Sequence, residues 1–135
     1  MFSLNGKKIL VTGAGGFIGS HLCARLIKLG AKVTALTHYN SRSSYANLDF
    51  LKNEEIESLN IIKGNIEDPY FIDYASENIE IIFHLAALIG IPYSYVSPLS
   101  YVKTNIEGTI NLLEVSKKRN IKMIHTSTSE CYGTA

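Results

Sequence analysis

Short apolar runs alternate along the chain with longer stretches in which apolar residues recur every three or four positions. Residues 7–12 (KKILVT) have a near-continuous apolar centre, as expected of a parallel strand covered on both faces. A glycine-rich turn follows, then a predicted helix over residues 16–29. Ile18, Leu22, Leu26 and Leu29 share one face of it, and Gly30 stands where a C-terminal cap belongs. Residues 31–37 (AKVTALT) predict a second strand and residues 38–44 a polar loop. Ser44 or Asn47 then caps a short helix that runs through Leu51. Residues 59–63 predict a third strand. Asp68 is the expected N-cap of the next helix, with Pro69 in its first turn. Residues 79–85 (IEIIFHL) predict a fourth strand, residues 86–97, with Gly90 and Pro92, a loop, residues 98–119 a long helix and residues 121–127 a fifth strand.

Strands alternating with helices in this way predict an α/β fold, a Rossmann-like doubly wound parallel sheet with right-handed crossovers and strand order 3-2-1-4-5. An intact sheet of that kind needs at least one further strand. The chain of 135 residues stops just past strand five. The expectation is one truncated domain over residues 1–135, incomplete at its C-terminus, with any substrate domain absent. Composition agrees with a globular domain, since 46% of residues are hydrophobic and 19% charged. The net charge of +1 argues against a nucleic-acid footprint or a polybasic membrane arm. No apolar run reaches the ~20 residues of a membrane span. The N-terminus has no signal-peptide core, so a cytoplasmic protein is expected. Cys23 and Cys131 have neither metal-ligand nor disulfide-framework spacing.

The turn after the first strand reads Thr12-Gly13-Ala14-Gly15-Gly16-Phe17-Ile18-Gly19-Ser20. Gly13, Gly16 and Gly19 form G-x-x-G-x-x-G between a predicted strand and a predicted helix, the context that dinucleotide binding requires. Gly13 would permit the tight turn. Gly16 would let backbone N–H groups approach a pyrophosphate at the helix start, and Gly19 would let the helix pack close to the sheet. This spacing resembles that of the extended short-chain dehydrogenase/reductases, the nucleotide-sugar epimerases and dehydratases. The shorter G-x-G-x-x-G fingerprint is not matched, because Ile18 holds the place of its third glycine.

The resemblance implies a bound NAD and a set of residues that line it. An acidic residue normally ends the second strand and reads the ribose hydroxyls. Thr37 and then His38 stand there instead. Arg42 is either the partner of a 2′-phosphate, which would favour NADP, or a solvated loop charge. Gly64-Asn65-Ile66 resembles the family's Gly-Asp-Ile segment beside adenine. Asn65 replaces the carboxylate; its side-chain oxygen can still accept from the adenine amino group, or it is a polar turn residue. His84-Leu85-Ala86-Ala87 resembles H-x-A-A, whose small residues let the cofactor lie along the backbone. His84 has no ligand-spaced partners and reads as a packed, hydrogen-bonded histidine. Asn105, in Thr104-Asn105-Ile106-Glu107-Gly108-Thr109, matches the family's Asn-x-x-Gly-Thr, where the Asn is bound into the active-site backbone; the alternative is a tolerated polar residue facing the sheet. On the same helix Val102, Ile106, Ile110 and Leu113 form an apolar stripe that Tyr101, Leu112 and Val115 widen, so burial on more than one side is expected. The resemblance makes that helix part of a homodimer interface.

Thr126-Ser127-Thr128-Ser129-Glu130-Cys131-Tyr132-Gly133 ends the fifth strand, on the edge where open α/β sheets bind ligands. Thr128-Ser129-Glu130 resembles the sugar-nucleotide 4,6-dehydratases, notably the GDP-mannose type, more than the epimerases, which carry Ser-Ser before Val-Tyr-Gly. Oxidation at C4 needs a hydroxyl network; elimination across C5 and C6 needs in addition a base at C5 and an acid at the leaving hydroxyl. Thr128 would hold the C4 oxygen and Glu130 would take the C5 proton. Ser129 stands where some dehydratases have an aspartic acid. The plainer reading of Glu130 is a residue that caps or solvates a turn.

Tyr39-Asn40-Ser41, Leu48-Asp49, Asp68-Pro69-Tyr70-Phe71, Ile91-Pro92-Tyr93-Ser94-Tyr95 and the segment from His125 to Glu130 together resemble the N-acetylglucosamine-nucleotide 4,6-dehydratases of legionaminic acid biosynthesis. The substrate so implied is a nucleotide-linked N-acetylhexosamine. The family's Tyr-x-x-x-Lys pair would fall beyond Ala135, so the chain alone is expected to be inactive. The competing readings are a 4-epimerase and, from another class, a non-catalytic dinucleotide-binding module.

Overall fold

The computed structural model describes residues 3–39 and 44–133. Five parallel strands, β1 (Lys8–Thr12), β2 (Lys32–Thr37), β3 (Leu59–Lys63), β4 (Ile81–His84) and β5 (Lys122–His125), form one sheet in the order β3-β2-β1-β4-β5. The Rossmann-like order read from the sequence is therefore the one observed. Among the described residues six α-helical segments surround it: α1 (Phe17–Lys28), α3 (Pro69–Ala75) and α6 (Gly108–Arg119), with α2 (Asn53–Glu57), α4 (Ile91–Val96) and α5 (Pro98–Tyr101).

Alternate residues of β1 feed two cores. Ile9 and Val11 point to a layer with Cys23 and Leu26 of α1, whereas Leu10 joins Ile72 of α3 and Leu112 and Val115 of α6. Each face of the sheet is thus covered by helix, which explains why the central strands read as unbroken apolar runs. Burial of a side chain such as Leu10 contributes about 1.5–3 kcal/mol. Burial also pushes the Cys23 thiol up to about 12, leaving it a packed, unreactive group.

Local signals set several boundaries. Asp68 caps α3, its Oδ1 accepting from the N–H groups of Tyr70 and Phe71 at 2.9 and 3.2 Å, with Pro69 in the first turn. Gly30 follows the Leu29 cap of α1 with φ +79°.

Other expectations need correction. The short helix ending at Leu51 is a 3₁₀ turn, Ala46–Phe50, and α2 follows it unforeseen. The loop expected over residues 86–97 contains α4. Gly90 is its N-cap and Pro92 lies in its first turn, where a missing N–H costs nothing. The long helix is α5, a π-helical turn (Val102–Glu107) and α6 in succession. Leu112 and Val115 are buried as expected, but Val102, Ile106, Ile110 and Leu113 are 42–55% exposed, so the helix is buried on one side and not on two.

Candidate cofactor and active site

The carboxyl ends of all five strands lie along one edge of the sheet, and the sequence-predicted residues collect there. Gly13 follows β1 with φ +69°, a conformation glycine adopts without strain. It also touches the end of β4: a Cβ at Gly13 would sit 2.8 Å from the Ala86 nitrogen. Gly16 is the N-cap of α1, and no side chain caps that helix start. The first N–H groups of α1 therefore face the turn with no acidic residue in the first turn to compete for them. Phe17 and Ile18 lie in that turn with exposed side chains, Phe17 tilted against His21. Gly19 is buried against the backbone of Gly13 and Ala14; the close approach it permits is to the peptide just beyond β1. Backbone N–H groups, a helix start and a cradle that side chains would fill are what a pyrophosphate requires.

Asn47 ties the 3₁₀ turn to this loop, its backbone N and Nδ2 both donating to the Gly15 carbonyl at 3.1 and 3.0 Å. Thr37, at the end of β2, is buried, and its hydroxyl donates to the Ile62 carbonyl at 3.4 Å. Its hydroxyl proton is thus directed at β3. Arg42, like Asn40 and Ser41, lies outside the described residues. Past β3, Asn65 is exposed while Ile66 is buried against Gly108, where a Cβ would come within 2.6 Å of the Ile66 side chain. Asn111 donates to the Ile66 carbonyl at 3.0 Å, and the Thr104 hydroxyl donates to Glu67. The helix of the apolar stripe therefore braces the loop after β3.

Asn105 sits in the π-helical turn and makes two bonds to one residue: Oδ1 accepts from Leu88 N–H at 2.8 Å, and Nδ2 donates to the Leu88 carbonyl at 2.9 Å. Leu85, Ala86 and Ala87 continue from β4 between this anchor and Gly13. Beneath them lies a buried polar group that the sequence reading met only in His84. Thr12 Oγ1 is 2.7 Å from His84 Nδ1, His84 Nε2 is 3.0 Å from Thr109 Oγ1, and Thr109 donates to the Asn105 carbonyl at 2.7 Å. Thr12 and Thr109 carried one faint signal each: Thr12 immediately precedes the glycine turn, and Thr109 lies four residues after Asn105.

Burial, and secondarily the His125 ring on β5, lowers the His84 pKa to about 4 from an ordinary 6.5. The unfolded chain binds the proton first, so the stability that follows from a neutral buried ring is fully present above pH 6.5 and is lost as pH falls through 4. It amounts to about 3 kcal/mol. Asp73 and Glu80 are held below the usual carboxylate range by hydrogen bonds from Lys118 and from Lys7, and act at lower pH. Urea unfolding should therefore show stability falling from pH 6.5 to 5, and His84→Gln should flatten that slope; an unchanged slope would refute the assignment.

Beyond β5, Thr128 begins a 3₁₀ turn, Ser129–Tyr132, and its Oγ1 accepts from Glu130 N–H at 3.2 Å. The Thr128 hydroxyl keeps its proton for another acceptor. Ser129 and Glu130 are exposed on this turn. Thr126 N–H donates to the His84 carbonyl at 3.1 Å, so the turn stands beside the Leu85–Ala86–Ala87 wall. Among the described residues no group of three His, Cys, Asp or Glu side chains could hold a metal ion, and no helix is long and apolar enough to cross a membrane.

This sheet order with a G-x-x-G-x-x-G turn at its switch point defines an extended short-chain dehydrogenase/reductase fold. More particularly, the chain belongs to the GDP-mannose 4,6 dehydratase family, whose sequence profile matches residues 10–135. A UDP-N-acetyl-alpha-D-glucosaminuronate decarboxylase of Bacillus cytotoxicus is 36% identical over 129 residues, which cover 94% of this chain and 38% of that protein. A UDP-N-acetylglucosamine 4-epimerase from Methanobrevibacter ruminantium M1, solved in complex with UDP-N-acetylmuramic acid, superposes with TM-score 0.83 at 36% identity, over 97% of this chain and 41% of that one. A UDP-glucose 4-epimerase from Bifidobacterium longum, solved with NAD+ and UDP, gives 0.82 at 30% identity, over 95% and 39%. The chain spans about two fifths of the length of these relatives.

Proposed function

We propose that this chain is the NAD-binding part of an enzyme that acts on a nucleotide-linked N-acetylhexosamine as a 4,6-dehydratase. NAD, when bound, supplies a reversible hydride acceptor for C4. Gly13, Gly16 and Gly19, with the N–H groups of Phe17 and Ile18, would hold its pyrophosphate; Asn65 and Ile66 would lie against adenine; Leu85, Ala86, Ala87 and Asn105 would form the wall along its other half. The observation that carries the dehydratase reading is Thr128-Ser129-Glu130 on the turn after β5. Thr128 keeps a hydroxyl proton to donate to the C4 oxygen, and the Glu130 carboxylate is a base for the C5 proton. The C6 hydroxyl leaves as water with a proton from an acid that the C-terminal part of the enzyme would supply, and the hydride taken from C4 would return to C6, so no cofactor is consumed.

The exposed stripe of Val102, Ile106, Ile110 and Leu113 supports a homodimer in the same proposal. A 4-epimerase is the second reading, favoured by the two solved epimerases. The test uses an enzyme made of this chain with a C-terminal part equivalent to that of its relatives, supplied with nucleotide-linked N-acetylglucosamine. Mass spectrometry should find a product lighter by one water with no net consumption of cofactor. Recovery of only the C4 epimer would overturn the dehydratase reading.

A further inference from the structure

The buried bonds under the β4 wall have only one consistent arrangement of protons. The Asn105 carbonyl can only accept, so the single Thr109 hydroxyl proton is committed to it at 2.7 Å. Thr109 Oγ1 must then accept from His84 Nε2 at 3.0 Å, which places the ring proton on Nε2. A neutral imidazole has one N–H, so Nδ1 is bare and accepts the Thr12 hydroxyl proton at 2.7 Å. The two lone pairs of Thr12 Oγ1 are left facing the N–H groups of Leu85 and Ala86, each at 3.2 Å. Every member is satisfied; Thr12 and His84 are buried, and Leu85, Ala86, Asn105 and Thr109 are half-buried.

We propose that His84 is a positioning residue: as the neutral Nε2–H tautomer it orients Thr12, and through Thr12 it fixes the Leu85 and Ala86 peptides against the phosphate loop. Thr12 is joined covalently to Gly13, and Ala86 N lies 2.8 Å from where a Gly13 Cβ would be. The strand end, the glycine turn and the wall are therefore joined through one hydroxyl, beside the backbone bond from Leu85 N–H to the Thr12 carbonyl at 3.3 Å. His84 itself is buried beneath the wall and acts through Thr12. A second proton on the ring would sit on Nδ1, facing a Thr12 oxygen that would have to turn its own proton away and give up an amide. The titratable group facing the ring is His125 on β5; β1 and α6 present the uncharged Thr12 and Thr109.

The relay is tested first on the chain without ligand. Long-range 1H–15N spectra should report His84 with Nε2 protonated and Nδ1 bare from pH 8 down to about pH 5, below the ordinary range of a histidine. Thr12→Val should speed amide exchange at Ala86 about tenfold or more, the loss of one net hydrogen bond, and Thr12→Ser should restore it. A ring protonated at Nδ1, or equal Ala86 exchange in the two variants, would overturn the proposal, and the spectrum of the unsubstituted chain decides even if Thr12→Val fails to fold. The positioning consequence rests on the cofactor reading above: NAD should bind Thr12→Val about tenfold more weakly than Thr12→Ser. Failure of the unsubstituted chain to bind NAD would count against the cofactor reading alone, with the tautomer and exchange results still judging the relay. Equal NAD affinity of the two variants would overturn the positioning role.

Discussion

Gly19→Ala is expected to weaken NAD binding by about ten- to a hundredfold. The added Cβ would lie 2.2 Å from the Gly13 carbonyl oxygen and 2.9 Å from both Gly13 C and Ala14 Cα. All three are backbone atoms, so no side-chain rotation relieves the clash. Either α1 withdraws from the end of β1, or the Gly13 peptide turns. The second route breaks the bond by which that carbonyl accepts Gly16 N–H at 3.0 Å and disturbs a φ of +69°. Both routes separate the helix start from the turn that faces the pyrophosphate. Overpacking of this kind costs about 1–3 kcal/mol, which sets the fold-change. Gly16→Ala is the contrast, because its Cβ meets only the Gly13 oxygen, at 3.1 Å, and a small shift accommodates it. Calorimetric titration with NAD and thermal melts of both variants check this. A Gly19→Ala chain that binds like the unsubstituted one would mean that the loop does not carry the cofactor.

The sheet was legible because its physical cause is local and repeated. Strands covered on both faces must be apolar throughout, and Ile9, Leu10 and Val11 are all fully buried. Asp68 and Pro69 were legible as a helix start for the same reason: a cap depends on two or three adjacent residues. The helix α4 was hidden because Gly90 and Pro92 also punctuate loops, and sequence alone does not distinguish a proline that ends a helix from one in its first turn. The π-helical turn carries no compositional mark. It is explained only by what its residues reach, Asn105 to Leu88 and Thr104 to Glu67, partners 17 and 37 positions away.

Much the same holds for the site. The glycine turn and the Thr128-Ser129-Glu130 turn are contiguous, so they could be read directly. The relay of Thr12, His84 and Thr109 spans β1, β4 and α6 and exists only once the sheet has brought positions 72 and 25 residues apart into contact. Thr37 is a further case. It stands at the end of β2 where an acidic residue would read the ribose, and nothing in the sequence showed that its hydroxyl bonds to the Ile62 carbonyl of β3, because that acceptor is brought near only by the sheet.

Glu130→Gln is expected to reduce elimination by about 10²–10⁴-fold while sparing oxidation at C4, in an enzyme that carries this chain and the C-terminal part its relatives have. Glutamine keeps the shape of the side chain and its hydrogen-bonding oxygen but cannot accept a proton from carbon. The 3₁₀ turn is held by the Thr128 hydroxyl on the Glu130 N–H and by the Thr128 carbonyl, which accepts from Cys131 Sγ at 2.9 Å, so the substitution leaves the bonds that shape the turn in place. Thr128 retains its hydroxyl proton for the C4 oxygen, and the first half of the reaction has no need of a carboxylate. The loss corresponds to about 3–5 kcal/mol of barrier, falling wholly on removal of the C5 proton. Exchange of that proton with deuterated solvent isolates the step from binding and from hydride transfer. Exchange should collapse in Glu130→Gln while oxidation of the bound sugar, followed by the absorbance of reduced nicotinamide, persists. Exchange at the unsubstituted rate would assign the base to another residue and leave Glu130 as a member of the turn.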